Sequence, residues 1–435
     1  MERLKERAAH IGQYAVTLLK WMVLGGVIGL VGGIIGSLFH IGVDTATQMR
    51  LAHSWVLYLM PVGGIAIVGL YRLTKTEGKG TNDIIASVHF GEQVPGLLVP
   101  VIFVSTVITH LCGGSAGREG AALQIGGGIG YQAGRLLRLG EKDLPLATLC
   151  GMSGVFAALF GTPLTATVFA LEVISVGVLY YAGLIPCLMA ASVAYLIASL
   201  FGVSPTRFAV TLPALDVWTV FLVVLLAIGC ALVSILFVRG MHWVEHMAVR
   251  FLKNSYLRAA AGGFAIIGLT LLLGRDYNGA GMDVIARAVE QGEAAPWAWF
   301  LKILFTALTI GCGFKGGEVV PSFFVGATFG CVVGPLLGLP PGFAAAVGLP
   351  GGFGAAIGLV AVFCGAVNCP IASVLLSLEL FGGTDGVLYF AFACAISYLL
   401  SGYCGLYSSQ TFVTNKLRSE YMSHKWRVKV KKAEE

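Results

Sequence analysis

Apolar positions along this chain fall in unbroken runs rather than stripes. Met22–Phe39, Val56–Leu70, Leu97–Leu111, Leu144–Leu159, Val217–Val238 and Ala259–Leu273 contain no Asp, Glu, Lys or Arg, and further runs extend as far as Leu400. A helix that is apolar on every side is either enclosed by protein or set in lipid. Several runs are shorter than the roughly 20 residues that cross a bilayer. Many hold Gly or Pro inside them, so the pattern predicts short, interrupted helices that meet within the membrane, between about ten and eighteen helical pieces in all.

Polar positions mark the ends of this plan. The start, MERLKERAAH, carries charges of both signs and no long apolar stretch before a cleavage site, which excludes a signal peptide. It predicts a short amphipathic helix on the membrane surface over residues 1–20. The end is basic, with Lys416, Arg418, Lys425, Arg427, Lys429, Lys431 and Lys432. Positive flanks stay in the cytoplasm, so both termini are placed there in a multi-pass protein of the cell membrane. The expected organisation is a first transmembrane half over 21–202, a linker over 203–215, a second half over 216–417 and a basic tail over 418–435.

Composition sharpens the class. Only 11% of the 435 residues are charged, against about a quarter in a soluble domain, and mean hydropathy is +0.85. The net charge of +6 resides largely in the flanks, so it implies no nucleic-acid partner. Ten cysteines sit mostly in apolar runs with no CxxC pair or Cys/His cluster, which reads as small core residues rather than a metal or redox site. No HExxH or GxSxG pattern occurs, and a membrane enzyme is disfavoured on that ground. No cofactor is expected.

The two halves repeat one another. TNDIIASV (Thr81–Val88) resembles GMDVIARA (Gly281–Ala288), with Asp83 and Asp283 200 positions apart. AGREGAALQIGGGIG (Ala116–Gly130) lies against GGEVVPSFFVGATFG (Gly316–Gly330) at the same separation. GTPLTATVFALE (Gly161–Glu172) matches VNCPIASVLLSLE (Val367–Glu379), which sets Pro163 on Pro370 and Glu172 on Glu379. A duplicated membrane chain points to a transporter whose site lies between its halves. An odd number of crossings per half would make them inverted.

The chemistry gathers at glycine-bearing segments, GKGTND from Gly78, GSAGREG from Gly114, GGEVVP from Gly316 and SGYCGLY from Ser401, each expected to lead into a helix. The first N–H groups of a helix lack intrahelical partners and sit at the positive end of its dipole. Glycine lets such a backbone come close to a small ligand, so converging starts would form an anion site. Arg118 and Glu119 stand in one of these segments, at a depth where an unused charge costs several kcal/mol. Either the pair serves itself, as an ion pair or helix cap, or Glu119 takes the anion's place and leaves it on protonation. Glu172 and Glu379 suit a shared helix-end role, whereas Glu318 fits a second pathway carboxylate and a dipole-stabilised helix start equally. His110 reads as a hydrogen-bonded core residue, and Lys302 and Lys315 as markers of an interface.

In this order, GKGTND, GREGAALQIGGGIG, GTPLTATVFALE, GGEVVPSFFVGATFG and the late tyrosine of GLYSS resemble the CLC family of anion channels and anion/proton antiporters, from about Gly25 to Leu417. The resemblance implies an all-α polytopic membrane protein of many broken, tilted helices in inverted halves. It also implies a homodimer with one anion pathway per subunit. Glu119 would be the gating and proton-coupling glutamate. Lys79, Gly80, Gly117, Arg118, Gly120, Glu318, Val319 and Tyr407 would form the anion site.

Departures from the chloride-type pattern are specific. GKGTN stands where GSGIP is usual, Ala121 replaces a proline, GEVVP replaces GxFxP, and Val173 replaces the second glutamate of an EE pair. GREGA, GGEVVP and the missing glutamate resemble the fluoride/proton antiporter branch, although Lys79 is atypical there. The expected function is therefore proton-coupled export of fluoride, with chloride/proton exchange or a passive anion channel as alternatives. Lys79 either coordinates the anion directly or reaches towards the cytoplasmic mouth and attracts anions from there.

Overall fold

The computed structural model describes residues 2–337, 351–384 and 386–417. They form sixteen α-helices in two sets of eight. The first set is α1 (Glu2–Ala52), α2 (Met60–Leu73), α3 (Thr81–Phe90), α4 (Leu98–Cys112), α5 (Glu119–Leu136), α6 (Leu144–Phe160), α7 (Pro163–Glu172) and α8 (Leu184–Leu200). The second is α9 (Val217–Phe251), α10 (Ser255–Leu273), α11 (Met282–Ala286), α12 (Ala298–Gly311), α13 (Val319–Leu336), α14 (Gly351–Val367), α15 (Pro370–Phe381) and α16 (Val387–Leu400). Among the described residues, six stretches are long and apolar enough to cross a membrane, and most other helices are shorter apolar pieces. This is an all-α membrane fold.

The breaks have local causes. α4 and α6 stop at Gly113 and Gly161, whose φ values of 96° and 75° close off a helix with left-handed backbone. α7 and α15 both open on proline, Pro163 and Pro370, where a missing N–H costs nothing. Between α8 and α9 the chain has no regular structure until Asp216, whose carboxylate caps α9 through the N–H groups of Trp218 (2.9 Å) and Thr219 (3.0 Å).

Packing repeats with the sequence. α5 lies along α6 as α13 lies along α14, and α1 crosses α6 and α8 as α9 crosses α14 and α16. Small residues make the closest crossings possible: a Cβ on Gly151 would collide with the carbonyl of Gly126, and one on Gly358 with that of Gly326. The halves join where α2 meets α10, where α7 meets α15, and at an antiparallel bridge between Gly117 and Gly317. That bridge pairs residues 200 apart with reciprocal N–H···O bonds of 2.7 Å each. Equivalent positions bonded antiparallel are related by a local two-fold axis. α5 and α13 touch little beyond this joint, so they start together and run apart, as inverted halves require.

Three expectations need correction or restriction. Residues 1–20 do not form a separate surface helix, because α1 runs unbroken from Glu2 to Ala52 and nothing from Gln13 to Leu24 is Gly or Pro. SGYCGLY does not begin a helix: it turns the chain out of α16 and into a two-residue strand β2 (Thr411–Phe412), paired in parallel with β1 (Ser175–Val176). The basic tail from Arg418 onward lies outside the described residues.

Candidate functional site

The site grows from the Gly117–Gly317 joint. Two helices each start two residues beyond it, α5 at Glu119 and α13 at Val319, so the free N–H groups of both first turns gather at one place. Only glycine fits: a Cβ on Gly120 would sit 2.8 Å from the Cα of Gly317, and one on Gly316 or Gly317 would also collide with the opposite strand. Duplicated glycines thus bring two positive helix ends into contact in the buried interior.

Glu119 is 1% exposed and turns back over its own helix start. Its Oε2 accepts from the Arg118 N–H at 3.0 Å and lies close to Gly117, while the Arg118 Nε stands 3.6 Å from Oε1. The ion pair is therefore present, and the carboxylate also takes the N–H of Arg118, although it does not cap the first turn of α5. A carboxylate in this place occupies donors that an anion would otherwise use. Val319, on the opposite start, is fully buried, and Glu318 before it is half-buried, its side chain making no hydrogen bond or ion pair among the described residues.

Tyr407 is 5% exposed, and its hydroxyl is buried with no hydrogen-bond partner among the described residues. Such a group costs about 1–3 kcal/mol unless a ligand uses it. Its segment is tied to the third helix start by the Ser409 N–H donating to the Asn82 side chain at 3.2 Å. Gly80 is the N-cap of α3, and its N–H donates to Asp83 at 2.9 Å. Lys79 differs from the expected anion ligand. Its ammonium is held by Asp83 at 2.5 Å, one helical turn ahead, which largely neutralises it.

Glu172 and Glu379 cap each other's helices. Glu172 accepts from the N–H groups of Ile371 (3.1 Å) and Ala372 (2.8 Å) at the start of α15. Glu379 accepts from Leu164 (3.0 Å) and Thr165 (2.8 Å) at the start of α7. Val173, where a second carboxylate is absent, is fully buried.

Beyond Glu119 and Arg118 opens a cavity of about 540 Å³ at the C-terminal end of α1. His110 lines it, with Nδ1 bonded to the Thr106 carbonyl at 2.9 Å. Its wall includes the loop between α10 and α11, which is pinned to the chain leading into α5: the Asn278 side chain donates to the Gly113 carbonyl (2.7 Å) and the Gly279 N–H to that of Gly114 (3.0 Å). Lys302 holds the same loop from behind. It is not at an interface but wholly buried, donating to the carbonyls of Tyr277 (3.1 Å) and Gly279 (2.7 Å), with the Phe324 ring centre 5.0 Å away. Lys315 lies 4.8 Å from the ring centre of Tyr71, within the chain's own packing. The apolar run around Lys302 gave no sign of this, since its carbonyl partners are more than 20 residues away in sequence.

The family described as voltage gated chloride channel matches residues 63–402. A relative named chloride/fluoride channel protein, from Pseudomonas syringae pv. tomato, is 38% identical over 90% of this chain and 86% of its own length. Another, named H(+)/Cl(-) exchange transporter ClcA, from Vibrio campbellii, is 23% identical over 82% of this chain and 81% of its own length. Among solved structures, one described as a CLC-type fluoride/proton antiporter superposes with a TM-score of 0.85 at 30% identity, covering 90% of this chain and 98% of that one. A slow cyanobacterial Cl−/H+ antiporter superposes with a TM-score of 0.74 at 19% identity, over 88% of this chain and 94% of that one, which bears on the fold alone.

Proposed function

The chain belongs to the voltage gated chloride channel (CLC) family, and on that premise we propose that it exchanges a small anion for a proton across the membrane, with fluoride as the preferred anion. The observation that carries this reading is the Glu119 carboxylate folded onto the helix start at the Gly117–Gly317 joint. Anion and carboxylate compete there for the same N–H donors. Protonation removes the charge that the donors hold, the side chain leaves, and an anion enters. One seat thus serves two ions in turn, which couples them.

Support for fluoride is of two kinds. The Pseudomonas relative and the antiporter structure that superposes at 30% identity carry fluoride in their names, and GREGA, GGEVVP and Val173 resemble that branch. Fluoride is small and accepts hydrogen bonds strongly, so close backbone donors and the unpartnered Tyr407 hydroxyl suit it. With Glu172 engaged as a cap, the inner proton route uses water, Glu318, or Glu119 itself swinging inward. The further parts of the reading are a homodimer with an independent pathway in each subunit and cytoplasmic termini, which open the 540 Å³ cavity to the exterior.

The test is efflux of fluoride and of chloride from proteoliposomes under equal gradients, with proton uptake recorded at the same time. Fluoride efflux that drives protons uphill is expected. In Glu119→Gln, which resembles the protonated acid permanently, coupling should vanish and leave slow leak or no flux. Coupled exchange surviving in that variant would sink the mechanism, and strong preference for chloride would overturn the choice of ion.

A further inference from the structure

The cavity beyond Glu119 is lined by one cation that the exchange mechanism does not use, Arg50, and a second, Lys302, lies wholly buried behind its wall. Both flank Gly279. On one side, Lys302 donates to the Gly279 carbonyl at 2.7 Å. On the other, the Arg50 guanidinium lies over the residue, so that a Cβ on Gly279 would be 3.0 Å from each of its terminal nitrogens. The φ of 61° at Gly279 is a second reason for glycine there. Neither cation has a carboxylate within ion-pair distance among the described residues, and the Arg50 Nη1 is buried with no hydrogen-bond partner.

Two other pairs of charges in the cavity are matched, and Arg275 has a neutral partner. Arg287 pairs with Asp276 at 3.0 Å, Arg118 with Glu119 at 3.6 Å, and Arg275 donates to the Ser54 hydroxyl at 2.6 Å. Asp44 and Asp283 are exposed. There remains the Arg50 guanidinium, which lines the cavity and keeps one buried donor without a partner among the described residues, with Lys302 behind Gly279. A buried donor left without a partner is costly, and a planar guanidinium is well suited to a small acceptor.

We propose that the cavity contains a second anion position, separate from the seat at the helix starts, in which Arg50 binds a small inorganic anion directly and Lys302 fixes the wall by holding the Gly279 carbonyl from behind. The position stages the anion between the Glu119 seat and bulk water. It rests on the proposed reading only in taking Glu119 as the neighbouring gate; it needs neither fluoride preference nor proton coupling.

Anion self-exchange, with whichever of fluoride and chloride the protein carries, tests it in right-side-out and inside-out membrane vesicles containing the full chain. Arg50→Gln should raise the half-saturating anion concentration about fivefold on the face where the cavity opens, the size expected of a single partly solvated charge. The maximal rate and the opposite face should be unchanged. Arg50→Lys, which keeps the charge on a shorter reach, should produce about a twofold rise and reads the same site if the glutamine variant does not fold. An unchanged half-saturation in the folded variants, an equal shift on both faces, or a fall in maximal rate alone would overturn the proposal. Failure of proton coupling or of fluoride preference would leave this result untouched, so the two readings fail separately.

Discussion

Removing Glu172 tests whether a buried membrane carboxylate is a structural cap or a proton station. Its two oxygens accept from Ile371 and Ala372 at 3.1 and 2.8 Å, and the residue is 7% exposed. Glu172→Ala leaves both donors unpaired where water scarcely reaches. Each orphaned donor costs about 1–3 kcal/mol, so the expected loss is about 2–6 kcal/mol. Glu172→Gln keeps one acceptor oxygen but points an amide NH₂ at the other donor, and about half that loss is expected. Glu379 makes the equivalent pair of bonds but is half-buried, so water replaces part of what is removed and Glu379→Ala should cost about 1–2 kcal/mol.

The assay is the temperature at which half the detergent-solubilised protein leaves its monodisperse peak. Proton-to-anion ratios are measured on the fraction that reconstitutes. A cap predicts the order Glu172→Ala, Glu172→Gln, Glu379→Ala from least to most stable, with the ratio unchanged throughout. A Glu172→Gln protein with the wild-type midpoint and an altered ratio would refute the reasoning and restore Glu172 as a proton station.

Three further outcomes rest on the same geometry. Tyr407→Phe removes a buried hydroxyl that has no protein partner, so stability should hold or rise while anion affinity, read by titration calorimetry, falls about three- to tenfold; a loss of stability would place that hydroxyl in the fold instead. Lys79→Met should weaken transport less than about threefold, because Asp83 already neutralises the ammonium, and that small effect should fade with salt. At Asp216 the Thr219 hydroxyl, first, and the N–H groups of Thr219 and Trp218 hold the carboxyl below its usual value. A depressed folded pKa gives stability that is present above the unfolded value and lost as pH falls through the folded one, so Asp216→Asn should flatten the acid limb of an unfolding profile below about pH 4.

What the sequence disclosed depended on how local the cause was. Pro163 and Pro370 open helices, and Gly113 and Gly161 close them, because these residues dictate their own backbone. The duplication announced that Gly117 and Gly317 would be equivalent, although not that they would bond to each other. The Lys79–Asp83 pair, four positions apart at a helix start, is equally local, and it favours a lysine engaged within the protein. Non-local partners were not visible. Lys302 reads as an interface marker until the carbonyls of Tyr277 and Gly279 are brought beneath it. SGYCGLY has the composition of a helix start, yet β1, more than 200 residues earlier, captures Thr411 and Phe412 just beyond it as a strand.

The joint explains why the seat is built from backbone and not from a lysine. A fixed ammonium would hold an anion in every state of the cycle, and an ion that is held equally throughout is not moved. Two helix ends offer partial charges of about +0.5 each, without a counter-ion of their own, and any acceptor of the right size can take the donors. On the proposed reading Glu119 is such an acceptor, tethered two residues from Gly117 and switchable by a single proton. The duplicated glycines Gly117 and Gly317 matter, and so does Gly120, because a side chain at any of them would separate the two starts. With Gly120→Ala the carboxylate would keep its own helix start but lose the opposing one. Anion affinity should then fall more than the affinity of Glu119 for the same donors, and a variant that keeps its fold should be biased towards the carboxylate-occupied, non-conducting state. Flux in that variant should recover as acid protonates Glu119. A variant equally slow at every pH would mean that the joint only holds the helices together.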